Sequence, residues 1–119
     1  MTFSETLDRH LKAIALRNIA EFKATLSEDP QVMAPDGSMI AGFEPVLKAH
    51  AEWFTSTEFT FEPRIVWKTE SGDIGLALVR VNYVEPRQTA RAFYLLLAFK
   101  REGCSWGMFY DQNTPIAAA

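Results

Sequence analysis

Trp106-Gly107-Met108-Phe109-Tyr110-Asp111-Gln112-Asn113-Thr114-Pro115 is an apolar run that finishes on a block of polar side chains. Its aromatic and apolar beginning reads as a strand, and Glu102-Gly103 just before it as a turn. Asp111, Asn113 and Thr114 at its exit can do one of two things. They can cap the chain's departure through side-chain-to-backbone hydrogen bonds, or they can present a carboxylate and amides at the mouth of an apolar interior.

Working backwards, Ala90 to Lys100 and Ile74 to Val84 read as long strands joined through Glu85-Pro86-Arg87-Gln88-Thr89. Ser71-Gly72-Asp73 turns the chain before them. Phe59, Phe61, Pro63, Ile65 and Trp67 alternate with mostly polar residues, the pattern of a strand with one dry face. Sequential hairpins of this kind make an antiparallel sheet. The middle strands are apolar on both sides: Leu76 and Leu78 point one way and Val79 and Val81 the other. With helices covering one face, a second protein surface is expected on the other, and a copy of the same chain is the usual partner.

The N-terminal third reads as helical. Leu7, Leu11, Ile14, Asn18, Phe22 and Leu26 keep a three-four spacing, which predicts one amphipathic helix over residues 1–28. Thr2 and Glu5 have capping-box spacing, and Pro30 marks the end. Asn18 is the polar exception on the stripe, a residue for the core's edge or for the cavity. His10 flanks the stripe and is expected at the surface. A short strand near Val32, the tight turn Pro35-Asp36-Gly37-Ser38 and a second short strand form a hairpin. A second helix follows over Phe43–Phe54, with Pro45 in its first turn. Its inward stripe of Phe43, Val46, Leu47, His50, Trp53 and Phe54 sets His50 among aromatics.

The chain has 119 residues, which reads as a single domain over 1–119. Its 48% apolar and 23% charged residues are ordinary for a globular protein, but nine Phe, three Trp and three Tyr are more aromatics than a small core usually requires. A wide pocket or a subunit interface would absorb them. A net charge of -3 with scattered basic residues argues against a nucleic-acid partner. The lone Cys104 cannot form an internal disulfide. No basic segment followed by an apolar one opens the chain, and no apolar run is long enough to span a bilayer, so a cytoplasmic protein is expected. Two His and one Cys have no metal-ligand spacing, and glycine-rich phosphate loops are absent, so no metal or cofactor is expected.

The order of helix, short hairpin, helix and strand meander resembles the cystatin-like α+β cone, the nuclear-transport-factor-2-like (NTF2-like) fold. Asp36-Gly37-Ser38, Gly42-Phe43-Glu44-Pro45-Val46, His50-Ala51-Glu52-Trp53-Phe54 and the closing Asp111-Gln112-Asn113-Thr114-Pro115 resemble SnoaL-like domains of the DUF4440 and YybH type. The resemblance implies N-terminal helices packed on a curved antiparallel sheet, a homodimer formed through the outer face of the sheet, and a conical pocket. Relatives of this kind include isomerases, cyclases, dehydratases and non-catalytic association modules, so fold does not select the chemistry.

A carboxylate in a dry pocket has a raised pKa and can abstract a proton beside a carbonyl that a neighbouring group polarises. Asp111 is the candidate base or orienting carboxylate, with His50 and Tyr83 as polar partners. Trp53, Trp67, Tyr94, Phe109 and Asn18 are the candidate ligand-contacting residues, Phe109 being expected on the same strand face as Asp111. The pattern of the ketosteroid isomerases is not reproduced: the first helix has no tyrosine, and the strand from Ile74 carries no acid before Glu85. Two functions remain open: binding of a small, largely apolar organic molecule, with or without cofactor-free acid-base chemistry, or a dimerisation module with a packed interior.

Overall fold

The computed structural model describes residues 1–116. Helix α1 (Phe3–Ala15) opens on the expected capping box. The Thr2 backbone N–H donates to Glu5 Oε1 at 2.9 Å and the Glu5 N–H to Thr2 Oγ1 at 3.1 Å, satisfying two N–H groups that a helix start leaves unpaired. The helix does not run on to residue 28. Arg17 adopts φ 52°, and Asn18 accepts from the Glu21 N–H at 3.2 Å to start a second helix, α2 (Ile19–Ala24). An asparagine side chain competes with the helical backbone for the same N–H groups, and here it wins. The break lets Phe22 fold back over His10.

Strand β1 (Leu26–Met33) includes the short strand expected near Val32 but starts earlier, inside the last residues expected to be helical, and has Pro30 within it. The Asp36 turn leads to β2 (Met39–Ala41), with Asp36 Oδ1 accepting from the Ser38 backbone N–H at 2.9 Å. Helix α3 (Phe43–Ser56) buries Val46, His50 and Phe54 and half-buries Leu47 and Trp53. The four long strands β3 (Thr60–Ser71), β4 (Ile74–Val84), β5 (Arg91–Glu102) and β6 (Ser105–Pro115) form the antiparallel meander. The full sheet has the order β2-β1-β6-β5-β4-β3, and β1 lies parallel to β6, a pairing that sequential hairpins alone do not include.

Two register shifts decide which side chains face the helices. A β-bulge adds one residue to one strand, so every side chain beyond it changes face. In β3, Ile65 pairs with Val79 but Trp67 pairs with Leu78, which skips Val66. Trp67 accordingly lies on the outer face, 52% exposed. In β6, Met108 pairs with Phe99 and Tyr110 with Ala98, which skips Phe109. Met108 and Asp111 then face inward, whereas Phe109 faces outward with the Lys100 amine 5.9 Å from its ring.

The core lies between α1, α2, α3 and the inner face. Ala77, Val79, Val81, Leu97, Phe99 and Met108 of the sheet meet Leu7, Phe22 and Val46 of the helices. Gly107 is required at the β1–β6 junction, since a Cβ there would stand 2.7 Å from the Ser27 backbone nitrogen.

Candidate functional site

The parallel entry of β1 beside β6 leaves an opening that α3, the β1–β2 hairpin and the last residues of β6 surround. It is a cavity of about 320 Å³, at the small end of the range for small-molecule sites. Its body is apolar. Val32 and Ile40 come from the hairpin, Ala49 and Trp53 from α3, and Phe93 from β5.

Three groups of polar side chains reach it. His50 comes from α3, and Asn113 from β6. Tyr83 with Glu85 and Arg91 stands where β4 leaves the sheet and β5 enters it.

His50 is fixed by its own helix: its Nδ1 lies 2.8 Å from the Val46 carbonyl. A carbonyl only accepts, so Nδ1 carries the proton. Its ring stacks on Phe22 with centroids 4.3 Å apart, and burial holds its pKa below the usual histidine value. The ring is thus neutral at pH 7, and Nε2, on its other side, carries the lone pair and has no hydrogen-bond partner among the described residues.

Asn113 Nδ2 donates to the Met33 carbonyl at 2.8 Å and to Asp111 Oδ1 at 3.3 Å. Those two oxygens settle the amide orientation, because the reversed amide would set oxygen against oxygen. Asp111 itself is not part of the cavity wall. It is 3% exposed, opposite Leu97 on β5 and Val32 on β1. Desolvation pushes its pKa up to about 7.

Trp53 Nε1–H donates to the Tyr83 hydroxyl at 2.9 Å, and that hydroxyl donates to Glu85 Oε1 at 2.5 Å. Burial and the adjacent carboxylate push the Tyr83 pKa up to about 12. Arg91 lies 3.7 Å from Glu85 and over the Tyr83 ring at 5.3 Å. The tyrosine proton is committed to Glu85 and is not free to polarise a substrate carbonyl.

Of the residues expected from sequence, the structure brings His50, Trp53 and Tyr83 to the cavity, with Asp111 one hydrogen bond behind it. It takes four others away. Trp67 and Phe109 are turned outward by the two bulges. Tyr94 alternates onto the outer face, with Arg80 5.9 Å from its ring. Asn18 is the exposed cap of α2.

Glu85 and Arg91 were not among the site residues expected from sequence, and Asn113 reads there only as part of the polar block at the strand exit. Asn113 was legible in principle, because it shares strand parity with Asp111 beyond the bulge. Glu85 and Arg91 flank a loop whose geometry no local pattern specifies. His10 is fully buried, not at the surface. Its Nδ1 lies 2.7 Å from Thr25 Oγ1, and desolvation drops its pKa to about 3. Among the described residues, no group of three or more His, Cys, Asp or Glu is placed to hold a metal ion, and no helix is long and apolar enough to cross a membrane.

Solved structures superpose on this chain over nearly its whole length. A proposed calcium/calmodulin-dependent protein kinase type II association domain from Thiobacillus denitrificans matches with TM-score 0.85 at 18% identity, over 98% of this chain and 96% of that one. A proposed dehydratase of the NTF2-like family from Streptomyces avermitilis matches with TM-score 0.85 at 14% identity, over 97% and 94%. A protein with a cystatin-like fold from Caulobacter vibrioides matches with TM-score 0.80 at 13% identity, over 96% and 87%. The fold is the cystatin-like, NTF2-like α+β cone. At these identities the likeness concerns fold alone, and NTF2-like neighbours carry names as different as dehydratase and association domain. No family model matches the sequence, and no curated protein matches it.

Proposed function

We propose that this NTF2-like chain is a homodimeric pocket protein of the SnoaL-like, DUF4440 type that binds a small, largely apolar organic molecule in the cavity beside His50. The observation that carries the reading is a neutral imidazole, pinned through Nδ1, at the wall of an apolar cavity. A bare Nε2 in such a place is a proton acceptor whose tautomer is already set. Where the bound molecule offers an acidic proton, His50 is the group to take it, without metal or cofactor. Asp111, through Asn113, is a positioning group for that wall.

The dimer is supported by the outer face of the sheet. Val66 and Trp67 are 47% and 52% exposed there, and Leu76, Leu78, Leu96, Tyr94 and Phe109 share the face. A contiguous apolar surface of this kind favours a protein partner, and a twofold copy satisfies it with one self-complementary patch. The alternative, an association module with a packed interior, has the same outer face in its favour. The cavity counts against it.

The test is calorimetric titration with naphthalene-sized aromatics, comparing wild type with Ala49→Phe, while sedimentation velocity reports the assembly. Ala49 lines the cavity from α3, so a phenyl ring there fills it and leaves the outer face untouched. Both proteins are expected to sediment as dimers, and binding is expected to fall at least tenfold in Ala49→Phe. Equal binding by both proteins would remove the cavity reading, and a monomeric wild type would remove the dimer.

A further inference from the structure

We infer that the cavity selects ligands carrying a hydrogen-bond donor, a hydroxyl or N–H group on an apolar body, over carbonyl compounds and carboxylates of the same shape. This rests on the proposal that the cavity is a ligand site, and it names the ligand class.

Protons at the cavity wall are already committed. Among the described residues, each cavity-lining side chain that could donate, the rim residue Arg91 apart, has spent its hydrogens within the protein. The His50 Nδ1–H goes to the Val46 carbonyl. The Trp53 Nε1–H goes to Tyr83, and the Tyr83 hydroxyl hydrogen to Glu85. The two amide hydrogens of Asn113 go to Met33 and Asp111.

The acceptors, by contrast, are left over. His50 keeps Nε2, Asn113 keeps Oδ1, and Glu85 keeps the carboxylate oxygen that Tyr83 does not use. Among the described residues, the one remaining side-chain donor at the cavity, Arg91, is at the rim with its side chain 60% exposed and is shared with Glu85. A ligand carbonyl pushed into this interior would meet lone pairs, lose its bonds to water and gain none. A hydroxyl would find a partner. Buried groups left unpaired cost more than a paired bond gains, so the discrimination is strong for its size. The same arrangement lacks the donors that stabilise an oxyanion, which turns the site away from enolising ketones.

The experiment is a matched series at pH 7, titrated calorimetrically into wild type and His50→Phe: naphthalene, 2-methoxynaphthalene, 2-naphthol, 2-acetonaphthone and 2-naphthoate. Wild type is expected to bind 2-naphthol roughly five- to tenfold more tightly than 2-methoxynaphthalene, and the ketone and carboxylate no better than the hydrocarbon. His50→Phe keeps the stack on Phe22. In this variant the naphthol-to-ether ratio is expected to fall toward one, which a merely structural role for His50, weakening both ligands alike, would not produce.

Should the variant fail to fold, the ¹⁵N resonance of His50 Nε2 in wild type gives the same answer, moving with 2-naphthol and not with its ether. Ketone or carboxylate binding tighter than naphthol would overturn the inference while leaving the binding site standing. Hydrocarbon bound as tightly as naphthol would do the same. Failure of all five to bind would overturn the site and the inference together.

Discussion

Replacing Asp111 with Asn is expected to stabilise the protein by about 4 kcal/mol at pH 8 and by almost nothing below pH 4. The carboxyl has its pKa raised from 3.8 to about 7 by burial, and a tenfold difference in proton affinity between folded and unfolded chain is worth about 1.4 kcal/mol. Because the folded state binds this proton more tightly than the unfolded chain, stability is lost as pH rises from about 4 to about 7. Asparagine is neutral, nearly isosteric, and its Oδ1 accepts from Asn113 as the carboxylate does, so the variant escapes the loss.

The two histidines act with the opposite sign. His10, lowered from 6.5 to about 3, and His50, also lowered, resist protonation when folded. They remove stability as pH falls below about 6.5. The wild-type curve therefore mixes the two effects, and the difference between variant and wild type isolates Asp111. Urea denaturation at half-unit steps from pH 4 to 8 would show that difference opening through pH 4–7, with a Tm gain on the order of 10 °C at the top. A variant less stable than wild type at every pH would mean that the carboxylate is held ionised by a partner that outweighs its burial.

Phe22→Ala is expected to cost about 3–5 kcal/mol, the range for deleting a fully buried phenyl ring. Phe22 has no exposed surface. It lies between the two histidines, 5.0 Å from the His10 ring and 4.3 Å from His50, with Phe54 edge-on at 5.8 Å. Its removal opens a void against both imidazoles, and water entering it would let their pKa values climb back toward 6.5. Urea unfolding measures the cost, and histidine proton resonances followed through pH 4–7 measure the titration. A loss under 1 kcal/mol with both histidines still refusing to titrate would show that the helices collapse to fill the space.

The parts of this protein that the sequence announces are those governed by local rules. The Thr2–Glu5 box, the Asp36 turn, the α3 stripe and the four-strand meander each follow from neighbouring residues, and together they specify the cone. What stays hidden is set by tertiary context. Asn18 has a place on a helical stripe and a better one as a cap, and the packing of Phe22 on His10 goes with the cap. Trp67 and Phe109 carry the right parity for the interior until one extra residue in each strand turns them outward. The candidate site suffers most from this, because a single skipped residue separates a cavity wall from an outer surface. From sequence, Asp111, His50 and Tyr83 read as a polar trio in an aromatic setting. That Asn113 stands between the carboxylate and the cavity was not legible, since it depends on Met33 reaching β6 through a parallel pairing.

The proposed function turns on an unprotonated Nε2 of His50, and the nitrogen spectrum of that imidazole at pH 7 reads its state without intermediaries. A neutral ring is expected, with a protonated, pyrrole-type Nδ1 and an unprotonated, pyridine-type Nε2. An imidazolium, or the opposite tautomer with the proton on Nε2, would contradict it.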